Sequence, residues 1–141
     1  MRNYRDWGVP LGRRFRSLKL WFVIRSYGVA RLKQMIQTHI KLAQELAAQI
    51  DMEDDFERLA PTPLALVCFR YRPAGVDQKS KLDALNEELV ENINFSGAAY
   101  LTHTRLRDVY AIRISIGQTT TERRHVEDLW KLIKKTARTM N

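Results

Sequence analysis

The sequence predicts an α+β domain, in which a small antiparallel β-sheet is covered on one face by helices and preceded by a long connecting helix. Several segments repeat apolar residues every three or four positions, as helices do, and others are short, β-rich and bounded by turn residues. These segments follow the order helix, helix, strand, helix, strand, strand, helix. With 141 residues, 45% of them hydrophobic, the chain can bury the core of one such domain.

Two consecutive helices are predicted in the first third of the chain, after an irregular stretch over residues 1–12. The first helix runs from Arg13 to Tyr27, and Gly28 is its stop signal. The second carries one long apolar stripe of Val29, Leu32, Ile36, Ile40, Ala43, Ala47 and Ile50. We therefore divide the chain into a connecting segment, residues 1–28, and a small α+β domain, residues 29–141.

The middle of the chain predicts a strand and a third helix. The run LALVCFRYR, bounded by Pro63 and Pro73, is typical of a strand, and a short strand is possible at residues 56–59. The segment DQKSKLDALNEELVENI predicts a helix with Asp77 as its N-cap. Its expected inner face consists of Leu82, Leu85, Leu89 and Ile93.

A hairpin and a closing helix complete the predicted fold. The segment AAYLTHTRLRDVYAIRISI folds back around residues 106–108. In its second arm alternation sends Tyr110, Ile112, Ile114 and Ile116 to the core, so that Arg113 faces the other side of the sheet. The pattern Thr119-x-x-Glu122 predicts a capping box, and the closing helix buries Val126, Leu129, Trp130 and Ile133.

The positive charge of the chain is concentrated at one end. The net charge is +8, yet residues 1–41 hold ten basic residues and one acidic residue (+9), and the remaining 14 basic and 15 acidic residues contribute −1. Arginines interleaved with aromatic residues favour, as one hypothesis, a nucleic-acid-binding α+β module. A basic helix on a membrane surface fits less well, because its arginines spread around the helix. The absence of a signal peptide and the single cysteine, Cys68, predict a cytoplasmic protein.

The sequence contains no self-contained catalytic apparatus. The six glycines form no phosphate-binding loop, and the three histidines lack thiol or carboxylate partners at metal-ligand spacing. No serine lies in a nucleophile elbow. We therefore expect no catalytic, cofactor-binding or metal-ligating residue within this chain.

The stretch DWGVPLGRRFRSLKLWFVIRSYG closely resembles a segment of pyridoxal-phosphate-dependent amino-acid decarboxylases of the aromatic-L-amino-acid type. The long helix, the LALVCFRYR strand, the YAIRISI strand and the closing helix follow in that family's order, so that the resemblance covers essentially the whole chain. It implies the C-terminal small domain of a fold-type I pyridoxal enzyme.

The resemblance implies a missing large domain that holds pyridoxal 5'-phosphate. In the family the Schiff-base lysine directly follows a histidine, and this sequence has no His-Lys pair. The family's enzymes are homodimers acting on amino acids, and the resemblance favours an aromatic substrate. We expect this chain alone to be inactive and not to bind the cofactor.

The resemblance also implies roles for individual residues. Gly12 would leave room for an aromatic ring in the neighbouring subunit's pocket; the alternative is that it only permits the turn before the helix. Arg113 would bind a substrate carboxylate, or pair with the large domain instead. An interface with the missing domain would use Arg13, Arg14, Phe15, Arg16, Lys19 and Trp21.

Overall fold

A computed structural model describes residues 14–140 of the chain. The described elements are α1 (Arg16–Tyr27), α2 (Val29–Asp51), β1 (Phe56–Arg58), β2 (Leu66–Tyr71), α3 (Lys79–Phe95), β3 (Thr102–Leu106), β4 (Val109–Ser115) and α4 (Arg123–Thr139). The described residues up to Gln34 form one compact unit, and those from Met35 onward form a second.

Helix α1 ends where the sequence predicts. Gly28 has a φ of 74°, which a residue with a Cβ rarely adopts, and its amide donates a hydrogen bond to the carbonyl of Ile24 at 2.8 Å. No residue of α1 is buried. Its first residue is Arg16, three positions later than predicted.

Helix α2 is a long helix, as predicted, but only part of its apolar stripe is buried. Val29 and Ile36 are exposed, so the prediction of one continuous buried stripe was wrong for the first turns. The buried residues begin at His39 and continue as Leu42, Ala43, Leu46, Ala47 and Ile50. This later part of α2 contributes to the core of the second unit.

The second unit is built on a four-stranded antiparallel sheet in the order β1-β2-β4-β3. One face of the sheet supplies the core residues Phe56, Val67, Phe69, Tyr71, Tyr110, Ile112 and Ile114, which pack with buried residues of α2, α3 and α4. Trp130 of α4 lies edge-on against Phe56, with 4.8 Å between ring centroids. The predicted α+β class is confirmed.

The β3–β4 hairpin turns through Arg107 and Asp108, within the predicted stretch. Both residues have positive φ angles, 50° and 64°, as the two central residues of a type I′ turn require. Leu106 pairs with Val109, so the turn fixes the register of the whole hairpin. Counting back from this pair places Thr102 opposite Arg113.

The two predicted N-caps, at Asp77 and at Thr119, were wrong. The N-cap of α3 is Gln78 and not Asp77. The Asp77 carboxylate instead accepts a hydrogen bond from Arg72 at 3.1 Å. The capping box of α4 starts at Glu122 rather than at Thr119. His125 completes that box, because its Nδ1 accepts the Glu122 amide hydrogen at 3.0 Å.

Asn86 of α3 is completely buried and is bonded to the backbone of β2. Its Oδ1 accepts the Tyr71 amide hydrogen at 2.7 Å, and its Nδ2 donates to the Tyr71 carbonyl at 2.8 Å. If the register of β2 and β4 continued, Tyr71 would lie opposite Tyr110 of β4. The two strands pair only from Leu66 to Phe69 of β2, however. The Asn86 amide thus replaces a strand's peptide group where the two strands part.

Asp83, one turn earlier on α3, serves the other strand at the same opening. Its Oδ1 accepts the Tyr110 amide hydrogen at 3.0 Å, and its Oδ2 accepts a hydrogen bond from Arg105. Two polar side chains of one helix therefore satisfy backbone groups of both separated strands. A buried backbone group left without such a partner would cost about 1–3 kcal/mol.

We predict that Asn86→Leu destabilises the fold by about 2–4 kcal/mol, because the Tyr71 amide and carbonyl both lose a buried partner. Urea denaturation followed by circular dichroism measures this loss. Asn92→Leu is the matched control, since Asn92 is an exposed asparagine on the same helix. Equal midpoints for the two variants would contradict the role assigned to Asn86.

Candidate functional site

Arg113 lies near the middle of the sheet face opposite the core. Its neighbours across the strands are Cys68 of β2 and Thr102 of β3. The Thr102 hydroxyl donates a long hydrogen bond, 3.4 Å, to the Arg113 carbonyl. Arg113 is exposed, and its side chain lies on the non-core face predicted by alternation.

Arg113 differs from most arginines of its unit because it has no carboxylate partner among the described residues. Ion pairs with carboxylates are formed by Arg58, Arg70, Arg72, Arg105, Arg123, Arg124 and Arg138. Arg107, at the hairpin turn, is the other arginine between Met35 and Met140 without such a pair. The guanidinium of Arg113 is thus available for an external anion, which it could bind through two parallel hydrogen bonds.

Cys68 lies beneath this exposed arginine and is only 7% exposed. Burial raises the pKa of the Cys68 thiol, and the positive charge of Arg113 partly opposes that rise. Burial dominates, so the thiol stays protonated at neutral pH and is a poor nucleophile.

The predicted interface residues lie partly within the described chain. Arg14, Phe15, Arg16, Lys19 and Trp21 are all exposed, and Phe15 is 72% exposed. Trp21 packs edge-on against Phe22, and the Arg25 guanidinium lies 5.7 Å from the Trp21 ring centroid. Gly12 and Arg13 lie outside the described residues.

The cations of α1 have no ion pair with any residue in the described range. Between residues 14 and 34 the chain has six basic residues, Arg14, Arg16, Lys19, Arg25, Arg31 and Lys33, and no acidic one. Exposed apolar residues lie between these charges, including Leu20, Trp21 and Phe22. Such a surface suits a partner that offers both apolar area and carboxylates.

Two cavities, which the sequence did not reveal, open on the second unit. The larger, about 550 Å³, lies between the loop after α3 and helix α4 and includes Tyr100, Ile116 and Leu129. The smaller, about 330 Å³, lies between α3 and β3 and includes Glu87, Glu91 and His103. Within residues 14–140 no cluster of histidine, cysteine and carboxylate side chains is arranged to hold a metal ion. No helix in this range has the length and apolar character to cross a membrane.

Known proteins are similar in sequence to this chain over nearly its whole length. The family model "Pyridoxal-dependent decarboxylase conserved domain" matches residues 1–72, just over half of the sequence. Tyrosine/DOPA decarboxylase 5 of Papaver somniferum is 43% identical over 94% of this chain. Phenylacetaldehyde synthase of Arabidopsis thaliana is 44% identical over 96% of it.

Solved structures share the fold. The crystal structure of Oryza sativa TDC with PLP and tryptamine matches 96% of the chain at 40% identity, with a TM-score of 0.85. In each case the match is a minor part of the longer protein. The chain spans 28% of the poppy enzyme, 27% of the Arabidopsis enzyme and 29% of the rice chain.

Replacement of Arg113 by glutamine should raise the pKa of the Cys68 thiol further, because the opposing positive charge is lost. We expect alkylation of Cys68 by iodoacetamide at pH 8 to slow by roughly two- to fivefold. The reaction is followed by mass spectrometry of the folded chain. Arg124→Gln, at an exposed position on α4, is the control and should leave the rate unchanged. Equal alkylation rates for the two variants would show that the charge of Arg113 does not affect the Cys68 thiol.

Proposed function

Because the chain belongs to the pyridoxal-dependent decarboxylase family, we propose that it forms the C-terminal small domain of a carboxy-lyase for aromatic L-amino acids. The relatives named for tyrosine and DOPA support this substrate class. The observation that carries the proposal is Arg113, which has no carboxylate partner within residues 14–140 and lies on the open face of a sheet shared with a relative solved with tryptamine.

The residues of this chain do not fit pyridoxal 5'-phosphate, which needs a lysine amine placed in an enclosed site. Lys134 is the one lysine of the described range that is partly buried, and its Nζ is held by Glu53 at 2.6 Å. The other described lysines are exposed. We therefore assign the cofactor and its lysine to the large domain that the resemblance implies.

In this proposal residues 1–28 connect the small domain, residues 29–141, to the large domain. The apolar side of α1, with Trp21 and the preceding Phe15, packs against the large domain. The cations Arg13, Arg14, Arg16 and Lys19 pair with carboxylates of that domain. The exposure of these apolar side chains and the absence of acidic residues from 14 to 34 support this assignment. Burial of such side chains is worth about 1.5–3 kcal/mol each.

Arg113 is proposed to bind the carboxylate of the substrate. A guanidinium fork matches a carboxylate in geometry and charge, and the ion pairs that occupy most other arginines of this unit leave Arg113 available. Gly12 is proposed to leave space for the aromatic ring. The working enzyme is proposed to be a cytoplasmic homodimer in which Gly12 reaches the neighbouring subunit's pocket.

The reaction on this scaffold is proposed to be decarboxylation. One relative is named a decarboxylase and another an aldehyde synthase, although both are similar to this chain over the same region. The choice between these reactions belongs to the groups around the cofactor. Assays on tyrosine, tryptophan, phenylalanine and dihydroxyphenylalanine, scored for both amine and aldehyde, distinguish the outcomes.

Because the cofactor is assigned to the large domain, we expect the purified 141-residue chain to show no absorbance band of bound pyridoxal after incubation with pyridoxal 5'-phosphate. It should also release no carbon dioxide from aromatic amino acids. Difference spectra before and after gel filtration provide the measurement. A retained band that borohydride fixes to one lysine would contradict the location assigned to the cofactor.

In the longer enzyme, Arg113→Gln should lower kcat/KM by about 10- to 100-fold, because a charge-assisted bidentate interaction is worth about 1.5–3 kcal/mol. Arg113→Lys should recover part of this loss, since it keeps the charge but not the fork. Arg107→Gln is the control, because Arg107 is an exposed arginine without an ion pair to any described residue. Equal kinetics for Arg113→Gln and Arg107→Gln would remove Arg113 from the substrate site.

A further inference from the structure

Strand β3 forms one edge of the sheet, and helix α3 runs alongside it. At one end Asn94 bonds the backbone of Leu101, with distances of 2.6 and 3.0 Å. At the other end Asp83 accepts a hydrogen bond from Arg105 at 3.1 Å. These two anchors place α3 antiparallel to β3, with the smaller cavity between them.

The outer edge of β3 has no strand partner among the described residues. β3 pairs with β4 on one side only. The β4 amides at even positions point toward β2, as the Ile116 amide bonded to Ala65 indicates. The pairs of Thr102 and Thr104 with β4 are therefore the hydrogen-bonded ones. It follows that the backbone groups of His103 and Arg105 point outward and can pair with an added strand.

The helix beside this edge carries three glutamates without a cationic partner in the described chain. Glu87, Glu88 and Glu91 form no ion pair there, although most other carboxylates of the unit do. Glu87 and Glu91 line the cavity next to β3, and Glu88 does not. Their charge reaches the buried Tyr110: burial is the main cause that raises the pKa of Tyr110 to about 12, and the two carboxylates add to it.

The spacing of Glu87 and Glu91 matches that of alternate side chains in an extended peptide. Glu87 and Glu91 are one turn apart, about 6 Å along the helix. Alternate side chains of a strand are about 6.7 Å apart and lie on one face of it. The floor between helix and edge is formed by the His103 ring stacked on Tyr110, at 4.8 Å and 19°. A flat ring of this kind suits an arginine guanidinium.

We propose that this groove binds an extended basic segment of another polypeptide, which adds a strand to the β3 edge and directs alternate Arg or Lys side chains toward Glu87 and Glu91. A second copy of the chain fits poorly, because its Arg105 is already paired with its own Asp83 and because pairing β3 with β3 would bring the glutamates of two α3 helices together. Nucleic acids and anionic lipids are repelled by the same glutamates.

The proposal is tested with two labelled octapeptides, one alternating valine with arginine and one alternating valine with glutamate. Fluorescence anisotropy is measured with the full chain at low and high salt. We expect the basic peptide to bind and the acidic peptide not to bind, despite the net charge of +8 on the chain. Binding should weaken as salt rises. Preference for the acidic peptide would overturn the proposal.

Two controls separate the groove from general attraction. The double variant Glu87→Gln, Glu91→Gln should weaken binding by about fivefold or more, and Glu88→Gln should change it by less than about twofold. A basic peptide N-methylated at alternate residues keeps its charge but cannot pair with β3, so it should not bind. Equal effects of the two sets of glutamate variants, or binding of the methylated peptide, would overturn the proposal. Circular dichroism confirms that each variant is folded.

Discussion

The fold of the second unit depends on the buried amide of Asn86. Sheet and helix meet there through hydrogen bonds to both backbone groups of Tyr71, at the point where β2 and β4 separate. Because the amide copies the donor and acceptor of a strand, the sheet can open without leaving Tyr71 unsatisfied. Asp83 does the same for Tyr110. Asn86 and Asp83 thus fasten α3 to both β2 and β4, the strand that carries Arg113 on its open face.

Two groups of charged residues in the second unit differ in whether they form ion pairs within the described chain. One group holds the unit together: Glu53 receives Lys134 and Arg138, and these cations lower the pKa of its carboxyl. In the other group, Arg113 and the α3 glutamates have no opposite charge among the described residues. The first group explains how α4 is fastened to the turn after α2. The second marks the surfaces on which the proposals for substrate and partner rest.

Much of this architecture could be predicted from the sequence, because it follows from local pattern. The alternation in YAIRISI determines which face Arg113 occupies, and Gly28 determines where α1 ends. The N-caps could not be predicted as reliably, because the Asp77 carboxylate binds Arg72 instead of capping α3, and Glu122, predicted as the third residue of the box, is itself the N-cap of α4. Asn86 looked like an ordinary helix residue, since its role depends on a gap between two strands distant in sequence. The stripe of α2 gave no sign of where burial begins, because burial depends on what packs against the helix.

We propose that this chain supplies the small domain of a pyridoxal-dependent decarboxylase. A chimera tests it most directly, in which this chain replaces the matching region of the Papaver somniferum tyrosine/DOPA decarboxylase. Carbon dioxide release from tyrosine and dihydroxyphenylalanine is measured together with the pyridoxal absorbance. We expect the chimera to bind the cofactor and to decarboxylate these substrates. A folded chimera that binds the cofactor but releases no carbon dioxide and forms no aldehyde would contradict it.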